Sequence, residues 1–152
     1  MIFVISLLVA SEALAAKFVV TGPGQTGSGQ LFEVTVGLDA RDAAVNAVSG
    51  AISFASSLVT LEAIKDGNSV VNFWLEKPHE KNGRVLFSGV IPGGFQGILN
   101  TQGDGYTPGK ILGLVFRAVK PGKGTIDLKA GEIFLLYCSW SRSINLSNKF
   151  FY

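Results

Sequence analysis

Apolar and polar residues alternate along most of the chain after residue 16. In Phe32-Glu33-Val34-Thr35-Val36-Gly37-Leu38, positions 32, 34, 36 and 38 are apolar and share one face, while Glu33 and Thr35 share the other. A period of two sends successive side chains to opposite sides of an extended strand, so the segment reads as half-buried β-structure. Val48, Gly50, Ile52 and Phe54 repeat the pattern, with Ala47, Ser49, Ala51 and Ser53 on the opposite face. Further strands are expected over residues 58–64, 69–76, 84–91, 110–119, 124–128 and 132–137, with Leu112, Leu114, Phe116 and Ala118 turned inward. The separators are Gly22-Pro23-Gly24, Asp66-Gly67-Asn68, Asn82-Gly83, Pro92-Gly93-Gly94, Thr107-Pro108-Gly109 and Pro121-Gly122. Glycine supplies positive φ and proline fixes φ, which is the chemistry of tight turns. Short strands punctuated this way predict an all-β sandwich or barrel. The longest irregular stretch, Pro92 to Gly109, is long enough to suggest a functional loop.

Composition agrees with that reading. The chain has 152 residues, 47% of them hydrophobic and 16% charged, which suits one domain with a core that needs no disulfide. The formal charge of +2 is small and its cations are scattered, so a nucleic-acid partner is not expected. The densest basic group, Arg117, Lys120 and Lys123, reads as a solvated strand end and turn. Met1 to Val9 is an apolar run followed by Ala13-Leu14-Ala15, with small residues where a signal peptidase needs them. Residues 1–15 are therefore expected to be a signal peptide, although no Lys or Arg precedes the apolar run; a buried strand or an uncleaved anchor is the alternative. The run is too short to cross a bilayer, which takes about 20 residues. The expected location is secreted, extracellular or at the cell surface, with residues 16–137 as the domain. Residues 138–152 break the alternation and read as an atypical or truncated C-terminal segment. It opens on the lone Cys138, expected to be a buried small hydrophobe.

Reactive chemistry is sparse. His79 is the only histidine, too little for a zinc site or a Ser–His–Asp triad, and it reads as a solvated turn residue. Glu76 and Glu80 are the nearest carboxylate pair, without the apolar setting that would raise one pKa for glycosidase work. No cofactor is expected. Calcium is a weaker option, through Asp39, Asp42, Asp66, Asn68 and Asp104 in expected loops, but no EF-hand spacing is present. Aromatic rings stack on sugars, which makes Trp74 a candidate; Asn72 and Glu76 at alternate positions point it outward, while the second layer of a core is the other possibility. Phe95 and Gln96, in Pro92-Gly93-Gly94-Phe95-Gln96-Gly97, and Tyr106 are loop candidates. Phe95 would either bind or cap the sandwich end.

Several of these strands carry a family resemblance. The residues are Val45-Asn46-Ala47-Val48-Ser49-Gly50-Ala51-Ile52-Ser53-Phe54, then Leu58-Val59-Thr60-Leu61-Glu62-Ala63-Ile64, Val71-Asn72-Phe73-Trp74 and Gly83-Arg84-Val85-Leu86-Phe87-Ser88-Gly89. Gly109-Lys110-Ile111-Leu112-Gly113-Leu114-Val115-Phe116-Arg117-Ala118 follows, with Pro121-Gly122 after it. Together they resemble a bacterial cohesin-type module. The resemblance implies a nine-stranded jelly-roll β-sandwich, related in fold to cellulose-binding modules, that binds dockerin modules and assembles polysaccharide-degrading complexes. Dockerin-binding cohesins typically carry Asn and Asp on the outward face of the strand matching residues 47–53, where this chain has Ala47 and Ser49. The expected function is thus a non-catalytic binding or scaffolding module. Its face candidates are Ala47, Ser49, Asn72, Trp74, Glu76 and Ser88, and its partner an exported protein or a polysaccharide. A carbohydrate-binding module and a structural repeat of a surface protein are the alternatives.

Overall fold

A computed structural model describes residues 16–41, 43–100 and 106–135. The expected signal peptide, Asp42, Asp104 and the segment 138–152 with Cys138 lie outside the described residues. The described residues form ten strands: β1 Lys17–Thr21, β2 Leu31–Asp39, β3 Val45–Phe54, β4 Val59–Lys65, β5 Phe73–Lys81, β6 Arg84–Phe95, β7 Ile98–Leu99, β8 Tyr106–Thr107, β9 Gly109–Ala118 and β10 Ile126–Leu135. They form two four-stranded antiparallel sheets, ordered β1-β2-β9-β4 and β10-β3-β6-β5, plus the small β7-β8 ribbon. The chain passes between the sheets after β2, β3, β4 and β9, and also between β6 and β9 by way of the β7-β8 ribbon, giving the jelly-roll sandwich expected from the alternating pattern.

The inner faces are those with the strict period of two. Phe32, Val34, Val36 and Leu38 of β2 meet Val48 and Ile52 of β3, Val85 and Phe87 of β6, and Leu112, Leu114 and Phe116 of β9 in one core. Aromatic rings join the two sheets. Phe18 of β1 meets Phe87 of β6 edge-on at 6.3 Å, and Phe54 of β3 tilts against Phe116 of β9 at 5.1 Å. Gly50 makes room for this packing: a Cβ there would lie 2.6 Å from the Phe87 ring. A strand glycine that costs backbone entropy is retained because an aromatic ring fills its place.

Some boundaries differ from the sequence expectation. The expected strand over 69–76 is shifted: β5 runs on to Lys81, so His79 and Glu80 lie on a strand and not in a turn, and Glu76 lies within the strand and not at its end. Pro78 is tolerated there because β5 is an edge strand, bonded only to β6 and bulged on both sides of Glu76. The hairpin turn is Asn82-Gly83, with φ of 54° and 71°, as a type I′ turn requires; Glu80 Oε1 accepts a hydrogen bond from the Gly83 N–H at 2.7 Å. Pro92-Gly93-Gly94 is not a turn but the irregular last part of β6. The strands expected over 124–128 and 132–137 form one strand, β10, interrupted by a bulge at Lys129.

Candidate functional site

The outward face of the β10-β3-β6-β5 sheet is built from the alternate positions that the core does not use. Strand register fixes its rows. Phe134, Ala47, Val90 and Phe73 lie side by side across all four strands, and Glu132, Ser49, Ser88 and Glu76 form the next row. Ala130, Ala51, Leu86 and His79 make the third. The first row is apolar throughout and ends on Phe73, which is 61% exposed, with Leu75 beside it at 66%. In the second row the two small serines sit between two carboxylates. Ser49 Oγ donates to Glu132 Oε2 at 3.4 Å, and Glu76 Oε1 lies 3.7 Å from His79 Nε2. A shallow depression of about 400 Å³ opens over Ser49, Ala51 and Ser88 between the two glutamates. In its two central strands the face is built of alanines and serines with Leu86 and Val90, and its most exposed apolar side chains lie at the β5 edge. Such a surface suits a partner that lays a broad area against it better than one that enters a cleft.

The structure brings Ala47, Ser49, Glu76 and Ser88 together on this face. Asn72 lies just before β5, exposed, its N–H donating to the Val90 carbonyl at 3.2 Å. Trp74 is a correction: it does not share the outward face. It pairs with Gly89, whose missing side chain leaves room for the indole and for Val71, and it packs half-buried against the core. The neighbours Phe73 and Leu75 take the exposure expected for Trp74. Of the two roles left open for Phe95, the structure shows the cap, at a strand end and not in a loop. Phe95 ends β6, covers Gly109 beside Val70 and packs against the core, so it caps the sandwich. Gln96 and Tyr106 are exposed beyond it, Tyr106 on β8 of the small ribbon. Phe73 and Leu75 escaped the sequence reading because five of the six residues from Val70 to Leu75 are apolar, with Asn72 the exception, which hides the parity of the strand.

The titratable groups elsewhere are largely absorbed in ion pairs. Asp39 lies 2.9 Å from Arg41 and 3.9 Å from Lys17, and Asp66 lies 3.8 Å from Lys77, so two of the calcium candidates are spent on cations. No group of three or more His, Cys, Asp or Glu residues that could hold a metal ion occurs among the described residues. On the opposite sheet, Lys65 Nζ donates to Glu33 Oε2 at 2.7 Å, and this bond holds the Glu33 carboxyl below the ordinary carboxylate range. No described helix is long and apolar enough to cross a membrane.

Comparison with solved structures identifies this architecture. A cohesin module from a family 33 glycoside hydrolase of Clostridium perfringens superposes with a TM-score of 0.65 at 12% identity, over 90% of this chain and 95% of that one. A Clostridium thermocellum OlpA cohesin in a cohesin–dockerin complex gives 0.56 at 18% identity, over 90% and 91%. The non-cellulosomal cohesin of the hyperthermophilic archaeon Archaeoglobus fulgidus gives 0.58 at 15% identity, over 78% of each chain. The chain has a cohesin fold. No family model matches it, and no curated protein matches it in sequence. The cohesin architecture is thus carried by strand order and core packing, with the surface rows free to differ.

Proposed function

We propose that this cohesin-fold domain is a non-catalytic docking module that binds a dockerin-like protein partner through the outward face of its β10-β3-β6-β5 sheet. The observation that carries the reading is the apolar row Phe134-Ala47-Val90-Phe73, continued by exposed Leu75. Large apolar side chains exposed together on a flat sheet mark a protein-binding surface. Solved cohesins of the same fold are seen with dockerins, which supports the class of partner. Ala47 and Ser49 stand where the resemblance led one to expect Asn and Asp. Recognition here would therefore rest on apolar contact along the first row, with Glu76 and Glu132 setting the charge at its margin. The same reading places the domain, residues 16–137, outside the cell after removal of residues 1–15, in a surface or polysaccharide-associated assembly. A sugar-binding role is less favoured, because Trp74 is turned into the sandwich.

Titration of the protein with purified dockerin modules, in parallel with soluble polysaccharides, separates the readings. Saturable binding to a dockerin with no glycan binding is expected. Saturable glycan binding without any dockerin binding would overturn the proposal.

A further inference from the structure

We propose that the end of the sandwich formed by the β1–β2, β3–β4 and β9–β10 connections holds a second binding site, for a small amphiphile with an apolar chain and one anionic head. The site is independent of the docking face. A cavity of about 350 Å³ opens there, at the small end of the roughly 300–1,000 Å³ typical of small-molecule sites. Its floor is apolar core: Phe32, Ala118 and Ile126 are buried, and Phe32 is stacked on Phe116 at 5.7 Å. Leu58 forms a wall, held closely enough by the β9–β10 connection that a Cβ on Gly122 would lie 2.8 Å from it.

The walls are tied in place by backbone hydrogen bonds. The Gly29 N–H donates to the Ala118 carbonyl at 2.7 Å, and the Ala118 N–H donates to Gln30 at 3.0 Å. Across the strand end, the Val119 and Lys120 N–H groups donate to the Leu58 carbonyl at 2.8 and 3.3 Å. A cavity shaped in advance binds without an ordering cost. Its charge is one-sided. Lys120 and Lys123 line it, and among the described residues no carboxylate does. Lys17, Arg41, Lys65, Lys77, Lys110, Arg117 and Lys129 all lie within 4.0 Å of a carboxylate. Lys120 and Lys123 have no such partner among the described residues. An apolar floor under two uncompensated cations is complementary to an aliphatic chain that ends in a carboxylate.

The test is a titration of the isotopically labelled full chain with octanoate, with 1-octanol as the uncharged control and N-acetyl-leucine as a stand-in for a peptide C-terminus, followed by amide chemical shifts. Octanoate should give saturable shifts at Phe32, Val59, Ala118 and Ile126, and 1-octanol should bind at least about threefold more weakly. The double variant Lys120→Gln, Lys123→Gln changes only surface charge. It should weaken octanoate by roughly three- to tenfold and leave 1-octanol unchanged. Ala55→Leu, which fills part of the cavity, should remove binding of both. Tighter binding of N-acetyl-leucine than of octanoate supports the site and marks a peptide end as the source; the reverse order supports it and marks a free acid. Non-saturable shifts with every probe, or octanoate affinity untouched by the lysine changes, would overturn the proposal.

Discussion

Replacing Trp74 by alanine separates a core residue from a surface platform. The indole packs half-buried against the core, over Gly89 of β6, and among the described strands β6 alone holds β5 in the sheet. A fully buried Trp→Ala change costs about 3–5 kcal/mol from lost burial and the cavity left behind. Half burial brings the expected loss to about 2–3 kcal/mol. With a urea m-value of about 2 kcal/mol/M, the unfolding midpoint should fall by roughly 1–1.5 M. Far-UV circular dichroism is the assay, since the substitution removes a fluorophore. Phe73→Ala is the matched control: the side chain next door is 61% exposed, so its removal should shift stability by less than about 0.5 kcal/mol. The opposite outcome, a silent Trp74→Ala with a strongly destabilising Phe73→Ala, would show that the two faces of β5 have been assigned the wrong way round.

Three further outcomes follow from the packing and the charges. Gly89→Ala adds a methyl where Val71 and the Trp74 ring already sit, and should cost about 1–3 kcal/mol by overpacking, read as a lower urea midpoint. Lys129 Nζ lies 2.6 Å from Asp127 Oδ2, and Asp127 is only 2% exposed, its Oδ1 without a hydrogen-bond partner among the described residues. Lys129→Ala strands a buried carboxylate and should cost about 1–3 kcal/mol, whereas the double change with Asp127→Asn should recover part of that loss in a double-mutant cycle. Glu33→Gln probes the pair with Lys65. A carboxyl held below its ordinary value of 4.5 stabilises the fold above that pH and loses the contribution as pH falls through the lowered native value. The wild type should therefore exceed the variant by less than about 1 kcal/mol at neutral pH, because the pair is half exposed, and the gap should close on acidification in stability measured against pH.

Where a strand is buried on one face only and flanked on both sides, its side-chain parity was written in the sequence. β2, β3 and β9 show this: Phe32 to Leu38, Val48 to Phe54 and Leu112 to Ala118 point where their alternation says. The outward placement of Ala47, Ser49 and Ser88, on the face proposed for docking, followed from the same parity. It failed at β5, where an edge position and two bulges remove the constraint that would make apolar residues alternate. The sugar-binding candidate Trp74 was misdirected for that reason. Pro92-Gly93-Gly94 looked like a turn, yet its positive φ values shape an irregular strand end against Ala44. The cavity at the loop end was not legible, since Phe32, Leu58 and Lys120 come together only when three separate connections meet.

The central claim is that the outward face of β10-β3-β6-β5 is the docking surface. Its most direct test is the affinity for a purified dockerin, by isothermal titration calorimetry, of Val90→Arg and of Thr60→Arg, the latter on exposed β4 of the opposite sheet. A charge placed in the middle of the apolar row should weaken binding by about a hundredfold, as at the centre of a protein interface, while Thr60→Arg should stay within about threefold of the wild type. Equal affinity for Val90→Arg and the wild type, with binding lost in Thr60→Arg, would contradict the account.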